Sequence, residues 1–218
     1  MATADRPTAL RRDAAAPPPD ATETATFGLG CFWGPDARFG AMPGVVRTRV
    51  GYAGGTDPDP TYYALGDHTE VVQVEYDPDE LDYAALLDVA LANHDPFSEP
   101  FKRQYRGVVL VHDERQREAA ASAIETLESE TGKAVRTPIE PLSSFTLAED
   151  YQQKYELRST PVVGDELADL YGDRLVDSTV AARLNGLVAG HGDEERRRRI
   201  LADLDLSPAA VDEVRRRC

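Results

Sequence analysis

Three β-branched runs, Val45 to Tyr52, Val71 to Tyr76 and Val108 to Val111, constrain this chain more than any other feature. Each is bounded by glycine, proline or aspartate, the pattern of short strands packed against a core. Phe27 to Gly30 reads as a further strand ending in glycine, and Gly34 to Met42 as a helix with Pro35 in its first turn. Tyr83 to Ala92 and Glu114 to Glu130 carry helical periods, and Leu147 to Leu157 reads as another helix. Strands and helices mix with uneven connections, so the expected class is α+β: a mixed β-sheet with flanking helices. The polar, glycine- and proline-rich stretch from Gly54 to Gly66 suits a functional loop.

Residues 1–24, with Pro17-Pro18-Pro19 and no hydrophobic period, are expected to form a disordered arm. A catalytic domain over 25–160 follows, and after the Pro161/Gly164 break a helical C-terminal extension over 161–218. In that extension the run Glu194-Glu195-Arg196 to Arg199 reads as a solvated helix face rather than a binding element.

A chain of 218 residues can bury a core without disulfide or metal staples. Its only cysteines, Cys31 and Cys218, are too far apart for a disulfide framework or a zinc spacing, so chemistry is the better explanation for at least one. No metal or nucleotide cofactor is expected: His68 and His94 lack ligand spacing, and no lysine follows Gly51 to Gly55 as a phosphate loop would require. With 39 acidic and 24 basic residues the net charge is -15, which disfavours nucleic acid and anionic membranes as partners. Met1 to Thr26 contains no apolar h-region and nowhere do eighteen apolar residues run together, so a soluble protein of a reducing cytoplasm is expected. Lysine occurs only at 102, 133 and 154, and an acidic, lysine-poor surface suits a salt-loaded, halophilic cytoplasm.

Gly30-Cys31-Phe32-Trp33-Gly34 places the first cysteine where a strand turns into a helix. Free amides at a helix start favour an anion, so the thiol pKa is expected to fall below its ordinary value of about 8.5. From position alone a reactive thiol and an ordinary buried cysteine are equally good readings. Phe32 and Trp33 could form an apolar wall for a methyl group beside sulfur, or could simply be core.

The Gly-Cys-Phe-Trp-Gly stretch resembles the signature of A-type methionine sulfoxide reductases. So do Gly51-Tyr52-Ala53-Gly54-Gly55, Pro60-Thr61-Tyr62, Gly66-Asp67-His68-Thr69-Glu70, Asn93-His94-Asp95-Pro96 and Gln104-Tyr105-Arg106, all in family order. The resemblance runs from about Phe27 to Arg158. It implies a ferredoxin-like core, Cys31 as nucleophile, Glu70 as acid, Tyr62 and Tyr105 as holders of the sulfoxide oxygen, and Phe32 and Trp33 as the substrate pocket. The chemistry is coherent, since attack on sulfoxide sulfur leaves charge on oxygen that a proton must neutralise. Glu70 precedes apolar Val71-Val72, where burial could raise a carboxyl's pKa; the plain alternative is a surface glutamate at a strand edge. The implied activity is thiol-dependent reduction of methionine S-sulfoxide, protein-bound or free, through a Cys31 sulfenic acid, with a thioredoxin-like dithiol as reductant and partner.

Two departures stand out. Only Phe97 to Arg103 separate the last two motifs, fewer than in typical members, and Gly107 stands where serine is usual. Cys218 is a possible resolving cysteine, as family members commonly carry one near the C-terminus. Two other functions use the same residues: a non-catalytic module that binds oxidised methionine, and a redox sensor in which peroxide oxidises Cys31 directly.

Overall fold

Strand pairing follows from which runs are apolar on both faces. The computed structural model describes residues 7–217, and its sheet has six strands in the order β5-β4-β1-β3-β2-β6. They are β1 (Glu23–Leu29), β2 (Val45–Ala53), β3 (Thr69–Tyr76), β4 (Gly107–Val111), β5 (Ile139–Pro141) and β6 (Phe145–Leu147). In β3, central in the sheet, every residue except Gln73 is buried, as a strand covered on both sides requires. The named pairs are antiparallel except β4 with β5, which run parallel, so the sheet is mixed as expected.

Helices cover the sheet: α1 (Thr8–Ala14), α2 (Trp33–Gly40), α3 (Tyr83–Ala92), α4 (Glu114–Thr131), α5 (Tyr155–Arg158), α6 (Pro161–Tyr171), α7 (Thr179–Val188), α8 (Glu194–Ala202) and α9 (Pro208–Arg217). Asp82 and Asp113 start α3 and α4 by accepting the amide protons of Ala85 and Gln116, each at 2.8 Å. One core joins the sheet to α3 and α4, where Phe27 stacks on Phe39 at 5.5 Å and on Tyr83 at 6.2 Å. A second gathers Leu157, Leu167, Leu184, Leu187 and Val214 from the C-terminal helices. The two meet where α7 crosses α2. There a Cβ on Gly186 would come within 2.5 Å of the Ala37 carbonyl oxygen, so glycine sets the approach.

The first segment differs from the expected disordered arm. Thr8–Ala14 is helical, Ala9 is buried among the C-terminal helices, Asp13 accepts from the Val180 amide at 3.0 Å and Arg12 pairs with Asp203 at 2.5 Å. A helix of two turns shows little hydrophobic period of its own; docking holds it.

The stretch read as one helix over 147–157 is instead the end of β6, a 3-10 turn at Asp150–Gln152 and the short α5. Long-range bonds override its local propensity. The Gln153 side chain accepts from the Val50 amide (3.0 Å) and donates to the carbonyls of Val50 (2.8 Å) and Ala148 (3.0 Å). Lys154 then takes φ 54° and buries its ammonium against Asp36 (3.1 Å) and the Thr48 carbonyl (2.6 Å). Pro161, read as a break, opens α6 from its first turn. No helix among the described residues is long and apolar enough to cross a membrane.

Candidate active site

The turn from β1 into α2 depends on Gly30, whose φ of 92° lies where other residues are strained. It delivers Cys31 to the surface, exposed, one residue ahead of buried Phe32. The Phe32 amide donates to Glu70 Oε2 at 3.1 Å, tying the residue after the cysteine to the start of β3. Glu70 is only 1% exposed, and its other oxygen accepts from the Gln104 side-chain amide at 2.7 Å. Burial pushes its carboxyl pKa up, and these two hydrogen bonds only partly oppose that. Neither donor carries a charge that would cancel the cost of burying an ionised carboxyl, and burial excludes the surface strand-edge alternative.

Tyr105 closes the short turn Arg103–Tyr105. Its hydroxyl pKa is raised by partial burial, then by Glu70, Tyr62 and Cys31, and it hydrogen-bonds Tyr62, so these four side chains converge. The shortened 97–103 segment does not leave this turn loose. Arg103 donates to the carbonyls of Asp67 (2.5 Å) and Gly54 (2.7 Å), and Arg106 forms a two-point pair with Glu140 at 2.7 Å per bond. Gly107 is explained by His94: a Cβ there would stand 2.7 Å from the imidazole.

Phe32 packs with Tyr52 at 6.0 Å between ring centres, and Trp33 and Tyr62 border the same cluster. Trp33 stacks on Tyr155 at 3.7 Å and donates to Gln152 at 2.8 Å. Glu149 accepts from the Tyr52 hydroxyl (2.7 Å) and the Tyr62 amide (2.9 Å), linking both tyrosines to the break after β6. Glu149, Gln152 and Tyr155 escaped the sequence reading because nothing local to 147–157 says that this segment packs against Trp33, Tyr52 and Tyr62. Gln104 stood inside a quoted motif, the only local signal for its part.

The thiol departs from expectation. Its pKa is raised, first by desolvation, with the Trp33 amide opposing and the carboxylates of Glu70 and Glu156 adding to the rise. Although Cys31 meets solvent, the walls around its sulfur desolvate it enough, with the acidic Glu70 and Glu156 nearby, to outweigh the one amide at the start of α2. His68 bonds the Asp57 carbonyl and His94 bonds Thr137, and among the described residues no group of three or more His, Cys, Asp or Glu could hold a metal. Cys218 lies outside the described residues.

A reachable thiol beside a buried carboxyl is an arrangement suited to an oxidoreductase that works through cysteine. A family model described as peptide methionine sulfoxide reductase matches residues 23–168. The chain belongs to the peptide methionine sulfoxide reductase family, in its A type, and is a thiol-dependent reductase of methionine sulfoxide. It is 42% identical to a peptide methionine sulfoxide reductase of Drosophila melanogaster over 85% of this chain and 76% of that one. To peptide methionine sulfoxide reductase A5 of Oryza sativa subsp. japonica it is 40% identical, covering 85% and 75%. Among solved structures, methionine sulfoxide reductase A of Corynebacterium diphtheriae superposes with a TM-score of 0.57 at 33% identity, over 65% of this chain and 76% of that one. Reduced Mxr1 of Saccharomyces cerevisiae gives 0.61 at 28% identity, over 66% and 88%.

Proposed function

We propose that Cys31 attacks the sulfur of methionine S-sulfoxide while Glu70 protonates the oxygen. The observation that carries this is Glu70 itself: a buried carboxyl held by neutral donors, one of them the amide next to Cys31. A sulfur–sulfur bond forms as the Glu70 proton passes to oxygen, and the carboxylate left behind takes the thiol proton. Oxygen then moves to Cys31 as the sulfide departs, so thiol plus sulfoxide becomes sulfenic acid plus methionine. Tyr62 and Tyr105 hold the oxygen, and Phe32 and Trp33 enclose the methyl.

A peroxide sensor does not need an acid that protonates a sulfoxide oxygen, so the buried Glu70 argues against that reading. A pure binding module would have no use for an acid beside the thiol. Turnover ends on an external dithiol of the thioredoxin kind in a reducing cytoplasm, with no prosthetic group. Cys218 serves as resolving cysteine: Arg217, its neighbour in sequence, donates to the Ser159 carbonyl at 3.2 Å, just past α5, whose Tyr155 stacks on Trp33.

The deciding experiment supplies dithiothreitol and resolved sulfoxide epimers. Reduction of the S-epimer by the parent and none by Cys31→Ser is expected; equal turnover of both epimers, or an active serine variant, would overturn the assignment. For Cys218, the serine variant should keep dithiothreitol activity and lose most thioredoxin-supported activity, and equal thioredoxin activity would remove its role.

A further inference from the structure

The arginine run of α8, read from sequence as a solvated face, turns partly inward. Arg196 and Arg199 line a cavity of about 190 Å³ together with Arg12 of α1 and Arg183 of α7. Four cations from three separate segments meeting on a chain of net charge -15 is a local reversal of the protein's field. Two of them are compensated: Arg12 pairs with Asp203 at 2.5 Å and Arg199 with Glu195 at 2.9 Å. Arg183 and Arg196 have no carboxylate within ion-pairing distance among the described residues, although Glu80 also lines the cavity. The Nε of each is buried without a hydrogen bond.

A guanidinium does not shed its proton to escape such a site, and an unmade buried hydrogen bond is unfavourable. Burial depresses both pKa values, and for Arg196 the charge of Arg183 is the next cause. The fold therefore sets two crowded guanidinium groups, neither with a carboxylate in ion-pairing distance, in the wall of a space that an anion could occupy. A second cleft of about 480 Å³ shares Pro43, Arg196 and Arg199 with the first and adds Arg38, His191 and Val89. It also carries Asp193 and Glu195, so its far part is not uniformly basic.

We propose that this cavity binds a small phosphate-bearing molecule, its phosphoryl oxygens taken by Arg183 and Arg196 and any attached body lying in the adjoining cleft. Planar guanidinium forks match phosphoryl oxygens two at a time. The cleft lies past the C-terminal end of α2, whereas Cys31 precedes its N-terminus. Eight residues at about 1.5 Å each put roughly 12 Å of helix between the two. The proposal is thus independent of how the sulfoxide site works.

The test titrates full-length protein, at constant ionic strength, with inorganic phosphate, adenosine monophosphate and succinate, followed by calorimetry and thermal unfolding. Saturable binding of phosphate or of the nucleotide, with succinate at least tenfold weaker, is expected; binding by phosphate alone or by the nucleotide tells whether the attached body contributes. Arg183→Gln and Arg196→Gln should each weaken that binding at least tenfold, raise the midpoint of the ligand-free protein by removing an uncompensated cation, and leave sulfoxide reduction unchanged. If Arg183→Gln does not fold, Arg196→Gln decides alone. No saturable binding, equal binding of succinate, or undiminished binding in the variants would overturn the site.

Discussion

Glu70 and Asp36 are carboxyl groups with the same burial on either side of the Cys31 turn, 1% and 0% exposed, yet they sit among opposite partners. Glu70 accepts from two neutral amides. Asp36 accepts from the Lys154 ammonium and amide (both 3.1 Å), the Thr48 hydroxyl (2.5 Å) and the Asn185 amide (3.1 Å). Burial alone therefore does not assign a role; the charge of the donors does. Neutral donors leave a carboxyl free to hold and release a proton, whereas a carboxyl bonded at once to a buried lysine, a hydroxyl and two amides is tied into a structural clamp. The clamp fastens α2 to β2, α5 and α7, and so steadies the helix that follows Cys31.

The largest effect expected is that of Cys31→Ser, which should take reduction of the S-epimer below detection with unchanged circular dichroism, because serine offers no comparable nucleophile. Retained turnover would remove the centre of the comparison. Next, Glu70→Gln should lower kcat by about 10²–10⁴ with little change in KM, the usual contribution of a positioned acid. Since the folded pKa of Glu70 is raised, its proton persists above the ordinary carboxylate range, and kcat should fall as pH rises through that raised value. The glutamine variant should lack this alkaline limb. At a pH above that raised value, where the parent's Glu70 is ionised, the variant's thiol should also react faster with iodoacetamide, because that charge beside Cys31 is gone. Slower alkylation together with slower turnover would make Glu70 a structural residue like Asp36.

On the clamp side, Lys154→Met strands Asp36 without its cation and should cost about 3–5 kcal/mol in urea unfolding. Adding Asp36→Asn to that variant should restore part of the loss; an additive double mutant would show that the two do not form a unit. The smallest effect is expected for Trp33→Ala, which removes the Tyr155 stack, worth about 0.5–1.5 kcal/mol beyond area burial. KM for the sulfoxide should rise by roughly tenfold while Cys31 alkylation is barely altered. Alkylation slowed as much as turnover would mean the ring shapes the thiol rather than the substrate pocket.

What the sequence by itself determined is what acts within a few residues. β-Branched runs specified β2, β3 and β4, and the glycine at 30 marked the turn that presents Cys31. The motif spacing carried the family, which the matched region confirms. Tertiary structure alone decided the rest, because desolvation and long-range hydrogen bonds have no local signature. It joined Phe32 to Glu70 across 38 positions and raised rather than lowered the thiol pKa. Through Gln153 and Lys154 it broke the helical period of 147–157, bringing Glu149, Gln152 and Tyr155 to the aromatic wall. A two-turn helix near the start of the chain, too short to stand alone, gained its stability from α7, and an arginine run that looked solvated acquired an inward side only when α1, α7 and α8 came to line one cavity.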